Sequence, residues 1–220
     1  CDTWAHGIFK FDDDIAHFTD AKVELVEKGP IRWILRVTSR YNDSTLRQDF
    51  MLYHDRKEIE VRVKLDFREK HRMLKLSFPV NVKDPVATYE IPYGFIEKPA
   101  NGEEEPGQQW IDVTGVQGLN EYGLSILNDS KYSFSILDND MRMTVANSSI
   151  IADHFGVRDE WCEFLDQGVQ EFNYCIAPHR GSWKDAGIVK RANELNVKPI
   201  GIMETYHKGS LPLKMEGIQI

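Results

Sequence analysis

The chain has 220 residues, 41% of them apolar and 28% charged, so it reads as a folded globular protein long enough to bury a core. Its formal net charge of -8 opposes binding to nucleic-acid phosphates. No apolar run reaches the length of a membrane span, and no signal-peptide pattern opens the chain. Cys1, Cys162 and Cys175 cannot all pair within one chain, which points to a reduced, cytoplasmic protein. Asn42-Asp43-Ser44, Asn128-Asp129-Ser130 and Asn147-Ser148-Ser149 then read as turn-forming polar triplets. The start at Cys1-Asp2-Thr3-Trp4 and the apolar close at Ile218-Gln219-Ile220 read as cuts in a longer polypeptide.

Period-2 alternation dominates the chain. Val23 and Leu25 alternate with Lys22 and Glu24, Gly29-Pro30 makes a turn, and Arg32 to Thr38 reads as a buried strand with Trp33 in the core. Glu58 to Asp66 is the clearest strand: Ile59, Val61, Val63 and Leu65 face one way, and Glu60, Arg62, Lys64 and Asp66 the other. His71 to Val80 continues the pattern. In the segment from Ala87 to Pro99, Tyr89, Ile91 and Tyr93 share one face and Thr88 and Glu90 the other, while Pro92 suits an edge or a bulge. Pro99 to Gly107, rich in Glu, Gly and Pro, reads as a loop.

Leu124 to Leu127 is a short apolar strand. Tyr132, Phe134 and Ile136 alternate into the turn Asp138-Asn139-Asp140, and Met141, Met143 and Val145 alternate out, which predicts a hairpin. Glu171 to Ala177 is a strand broken by Pro178. One helix is expected, capped by Ser182 with Asp185 three residues on, carrying Ala186, Val189, Ala192 and Leu195 at helical spacing, with Pro199 beyond its end. Gly187 weakens that helix. Many strands, one short helix and no repeat period predict one large antiparallel β-sandwich over residues 1–220.

Few constellations carry chemistry. A glycosidase needs two carboxyl groups across the scissile bond. Glu90, Glu97 and Asp112 are candidates by composition, but no spacing marks a pair, so structural or substrate-orienting roles are expected. The seven histidines are scattered, with no metal-binding motif, and Asp12-Asp13-Asp14 lacks the rest of a calcium loop. There is no phosphate loop and no nucleophile elbow. Cys162 beside His154 and Asp166 is very weak evidence for a thiol nucleophile, and although Cys162, Cys175 and His179 can converge in space, buried cysteines more often fill a core. Trp110, two residues before Asp112, is a candidate for a binding rim, where its flat face would stack on a sugar ring.

Several segments, in order, resemble the β-domain of glycoside hydrolase family 38, the α-mannosidases, especially the cytosolic and bacterial branch. They are Asp2 to Gly7, Glu27 to Arg32, Asp66 to His71 running on to Leu76, Tyr89 to Pro99, Gln109-Trp110, Leu127 to Tyr132, and Pro178 to Trp183. The resemblance implies a galactose-mutarotase-like supersandwich that packs on an N-terminal α/β barrel. It also implies a retaining parent enzyme that removes α-linked mannose from oligosaccharides, with an Asp nucleophile, a carboxylic acid and a zinc-like divalent ion all in that barrel. No catalytic or metal-ligating residue is therefore assigned to this segment.

Loops of such a domain help wall the active site, and Tyr93, Glu97, Lys98 and Trp110 are the expected substrate-binding residues here. Lys98 stands where related enzymes tend to have Arg, which keeps the charge and loses the planar fork. An exposed sheet edge, prone to self-association, raises the expectation of a homo-oligomer. The other readings are an autonomous carbohydrate-binding module and a stand-alone sugar epimerase or lyase, which would need its own acid–base pair.

Overall fold

The computed structural model describes residues 7–150, 163–201 and 203. Both chain ends and the Cys162–His154 pairing lie outside the described residues. Within them, the strands in chain order are β1 (Thr19–Lys28), β2 (Arg32–Tyr41), β3 (Ser44–Tyr53), β4 (Ile59–Phe67), β5 (Met73–Pro79), β6 (Lys83–Ile91) and β7 (Gly94–Lys98). They continue with β8 (Asn101–Pro106), β9 (Trp110–Gln117), β10 (Asn120–Asn128), β11 (Ser133–Leu137), β12 (Asp140–Asn147) and β13 (Gly168–Arg180), and one helix, α1 (Ile188–Asn196), follows.

The strands form a nine-stranded sheet in the order β1-β2-β3-β4-β13-β10-β9-β6-β7 and a four-stranded sheet in the order β5-β12-β11-β8. Every pairing between these strands is antiparallel. The expected mainly-β fold is therefore present. One core fills the space between the sheets, with Val61, Val63, Leu65, Tyr89, Ile111, Val113 and Ile126 from the large sheet against Phe134, Ile136, Met141 and Met143 from the small one. The alternation read at Glu58 to Asp66 is the cause at β4, since Val61, Val63 and Leu65 are all at 0% exposure. The hairpin at Asp138-Asn139 joins β11 to β12, with Asp138 at φ 54.

The opposite face of the large sheet has its own smaller core. There α1 lays Ile188 and Ala192 on Trp110, Leu127, Cys175 and Ala177, with Trp183, Ala186 and Leu195 at its border. Strands β9, β10 and β13 are thus covered on both sides.

Five expectations change. Strand β13 does not break at Pro178 but runs through it to Arg180, with Pro178 paired to Leu124 of β10. Trp33 is 41% exposed rather than buried, because four strands cannot cover nine and the β1–β3 wing projects beyond the small sheet. Residues expected to be a loop after Pro99 form β8. Glu104 there accepts hydrogen bonds from Ser133 Oγ at 2.9 Å and Thr144 Oγ1 at 3.1 Å and pairs with Lys75, so cross-strand partners override the weak strand propensity of Glu and Gly. The Ser182–Asp185 capping box does form, with Ser182 Oγ donating to Asp185 Oδ2 at 2.7 Å, but it closes a turn rather than the helix. Gly187, left-handed at φ 68, separates that turn from α1, which begins at Ile188. Finally, Tyr93 leaves the alternation of Tyr89 and Ile91, because it sits in the two-residue β6–β7 turn at φ 66.

Close approach at Gly115 makes it a test of this packing. A Cβ there would lie 2.5 Å from the Lys83 carbonyl and 2.9 Å from Val82, at the irregularity where β6 meets β9. Gly115→Ala is expected to destabilise the chain by about 1–3 kcal/mol in urea unfolding. Gly94→Ala, which meets nothing within 4 Å, should stay within about 0.5 kcal/mol of the parent.

Candidate functional site

Antiparallel register lays out the outer face of the large sheet in rows. Glu97 on β7 opposes Thr88 on β6, which opposes Asp112 on β9, then Ser125 on β10 and Ala177 on β13. The next row toward the β6–β7 turn brings Phe95 opposite Glu90, and Trp110 opposite Leu127, which in turn opposes Cys175. On the other flank Thr114 opposes Gly123, which opposes His179. The loop after β13 folds over these rows. Gly181 donates its N–H to the Glu121 carbonyl at 2.9 Å and turns the chain at φ 66, so that Trp183 drops onto the sheet.

Trp183 joins two expected features. Its ring lies 4.6 Å from that of Trp110 and meets Phe95 edge-on at 4.8 Å. Lys184 Nζ sits 4.7 Å from the Phe95 centroid and 5.2 Å from that of Trp183, a cation over both faces. Glu90 borders this stack, and its Oε2 accepts the Gln109 N–H at 2.6 Å. Burial pushes the Glu90 carboxyl above the usual carboxylate range, against the opposing pull of the Gln109 amide and of Trp110. The Trp110 indole Nε1 lies beside that carboxyl without completing a hydrogen bond.

The four expected binding residues do not converge. Tyr93 stands fully exposed at the hairpin tip. Glu97 is exposed on the outer face, two residues from Phe95. Lys98 points the other way, pairing with Glu105 of β8 and covering the Tyr89 ring at 5.2 Å, so it fastens the hairpin to the seam between the sheets. Trp110 is only 1% exposed, beneath α1 and Trp183. The side chains that reach the surface in its place are Phe95, at 44% exposure, and the half-buried Trp183. Trp183 belongs to the segment Pro178 to Trp183, which reads on its own as no more than a rigid corner. Its Trp beside a Lys was the available signal.

Beneath the loop is a buried polar cluster. The Asp112 carboxylate, at 0% exposure, accepts hydrogen bonds from Thr114 Oγ1 and Ser125 Oγ at 2.6 Å each, and meets His179 Nε2 at 2.7 Å. Among the described residues no group of three or more His, Cys, Asp or Glu side chains is arranged to hold a metal ion. The divalent ion that the resemblance implies thus finds no donor set in these residues. No described helix is long and apolar enough to cross a membrane.

Comparison with known proteins agrees with this fold. The glycosyl hydrolases family 38 C-terminal domain matches residues 3–155. Alpha-mannosidase G of Dictyostelium discoideum is 25% identical over 210 residues, covering 89% of this chain and 18% of that protein. Alpha-mannosidase 2C1 of Homo sapiens is 28% identical over 177 residues, covering 77% and 16%. The alpha-mannosidase of Saccharomyces cerevisiae is 33% identical over 131 residues, covering 58% and 11%. A crystal structure of an alpha-mannosidase from Enterococcus faecalis superposes with a TM-score of 0.63 at 11% identity, over 78% of this chain and 23% of that one. The chain thus spans less than a fifth of the length of these curated relatives.

Glu90 gives the site a measurable signature. Its folded-state pKa lies above the ordinary 4.5, so its stabilising contribution is present below that value and is lost as pH rises through the folded one. Glu90→Gln removes the ionisation while leaving an oxygen for the Gln109 amide. The variant is expected to melt at a higher temperature than the parent at about pH 7, with the gain vanishing near the carboxylate range, as read by calorimetry at both pH values.

Proposed function

Because this chain belongs to the C-terminal domain family of glycosyl hydrolases family 38, we propose that it is the β-domain of a cytoplasmic retaining α-mannosidase. In this reading it packs on a catalytic barrel elsewhere in the parent polypeptide and helps wall the pocket that receives α-linked mannose of an oligosaccharide. The family match across residues 3–155 carries the proposal. The barrel would supply the Asp nucleophile, the acid and the zinc-like ion, and this segment none of them.

Two structural observations support a docked, wall-forming role. The inner face of the β1–β3 wing leaves Val23, Leu25, Trp33 and Leu52 at 63%, 51%, 41% and 38% exposure, an apolar surface that the small sheet does not cover. Such a patch fits a face buried against another part of a longer chain. The β6–β7 hairpin lies at the other end of the same sheet, offering Tyr93, Phe95 and Glu97 toward a ligand while Lys98 holds it from behind.

The first test is hydrolysis of an aryl α-mannoside by the 220-residue chain, with and without zinc, cobalt or manganese. No turnover is expected. Metal-dependent turnover lost in Glu97→Gln would overturn the reading, and millimolar or tighter binding of mannosides by the isolated chain would favour an autonomous binding module instead. In the parent enzyme, Glu97→Gln is expected to lower kcat/KM about tenfold, the equivalent of ~1.4 kcal/mol. Val23→Asp with Leu25→Asp should lower the parent's melting temperature while sparing that of the isolated chain, where both side chains already face water.

A further inference from the structure

His179 faces an acceptor at each ring nitrogen. Nε2 lies 2.7 Å from Asp112 Oδ2, and Nδ1 lies 3.0 Å from the Gly181 carbonyl. A neutral imidazole has one N–H and can satisfy one of these, whereas an imidazolium donates to both. The side chain is 4% exposed, so water does not readily replace a lost partner. Gly123 makes the fit close, since a Cβ there would lie 2.7 Å from His179 Cε1 and 2.6 Å from Thr114 Oγ1.

We propose that His179 is a positioning residue: doubly protonated, it ties the buried Asp112 carboxylate to the Gly181 carbonyl and so seats Trp183 against the β6–β7 hairpin, and loss of its proton releases that seat. The consequence of deprotonation follows from bond strength. The remaining proton stays on Nε2, where the carboxylate makes the stronger, charge-assisted bond. The Nδ1 lone pair then faces the Gly181 oxygen, and contact becomes repulsion. Gly181 is two residues from Trp183, and the intervening Ser182 is fixed by Asp185, so a displaced Gly181 carries the indole with it. The moving indole leaves Trp110 and Phe95.

The surroundings favour the protonated form. Burial by itself pushes the His179 pKa down, but the Asp112 hydrogen bond and charge, the Gly181 carbonyl and the Glu121 charge outweigh it, and the net direction is up from 6.5. His179 also lines a cleft of about 540 Å³, together with Asp55, Arg56, Lys57 and Glu58 from the β3–β4 turn, Arg180 from β13 and Arg191 from α1. Arg191 pairs with Glu58 at 3.0 Å and Arg56 with Glu60 at 2.9 Å. A raised folded pKa means that the stabilisation is full below the ordinary value of 6.5 and is lost as pH climbs through the folded one.

The pH response of His179 can be tested without sugar and so independently of the α-mannosidase reading. Nitrogen-15 NMR of the 220-residue chain between about pH 5 and about pH 9 follows the His179 ring and the Trp183 indole together, with Trp183→Phe assigning the indole signal. Both ring nitrogens should carry protons at the acid end, and the indole resonance should shift with the same midpoint as His179. His179→Gln should abolish the pH-dependent part of that shift. A ring with a single proton at about pH 5, an indole signal indifferent to the His179 titration, or a shift that persists in His179→Gln would each overturn the proposal. If the variant does not fold, the titration of the parent chain decides alone.

Discussion

A nine-stranded sheet covered on one face by four strands and on the other by one short helix with its lead-in loop cannot be buried uniformly. Both covers overlap only at β9, β10 and β13. Polar side chains that fall there must find partners within the protein, since burying them unpaired costs several kcal/mol. Asp112, Ser125 and Asn128 are all at 0% exposure, and each meets that demand. Asp112 gathers two hydroxyls and an imidazole, and Asn128 bonds the Gln108 carbonyl while accepting the Ser130 and Lys131 amides. The loop that seats Trp183 is built on these satisfied side chains and on Trp110, whose buried Nε1 has no hydrogen-bond partner. The site's aromatic surface is therefore only as fixed as the polar row beneath it.

The same reasoning applies to charge on the outer face of the small sheet, where Lys75 opposes Thr144 and Glu104 opposes Ser135. Lys75 is held by Glu104 and Ser135, and Glu104 in turn by Ser133 and Thr144, with Lys75 and Glu104 at 12% and 14% side-chain exposure. A pair so enclosed is tolerable because its remaining hydrogen-bonding capacity is filled. It also explains why the run Asn101–Pro106, whose composition is that of a loop, lies extended as a strand. Its carboxylates have places to go only when the backbone is paired with β11.

Legibility in the sequence followed how local the deciding contact was. β4 and the β11–β12 hairpin were readable because alternation and turn chemistry are written within a few residues. The two tryptophans both depart from what their neighbours in sequence suggest: Trp33 lies in an apolar run yet is 41% exposed, and Trp110 follows an acidic stretch yet is 1% exposed. Neither outcome depends on near neighbours. Each depends on how far the opposite layer extends, which periodicity does not encode. The helix start at Ile188 turned on a single left-handed glycine, a signal that was visible but weaker than the capping box before it. The pairing of His179 with Asp112 joins residues 67 apart and has no local trace at all.

The hairpin shows what a strand's two-residue period does to neighbouring charges. Glu97 and Lys98 are adjacent in sequence and so face opposite sides of the sheet. Lys98 is spent on the inner side, where one compact ammonium can meet Glu105 and the face of Tyr89 together. A planar guanidinium would be set by its fork to one of these before the other. Glu97 is left on the outer side, in line with Thr88 and Asp112, and among the described residues its carboxylate has no ion-pair partner. The hairpin is thus held by Lys98 on its inner face and by the Phe95–Trp183 contact on its outer one, with the Glu97 carboxylate left open beside that contact. A side chain on an edge strand is only as well positioned as the strand itself, and these two contacts are what fix β7.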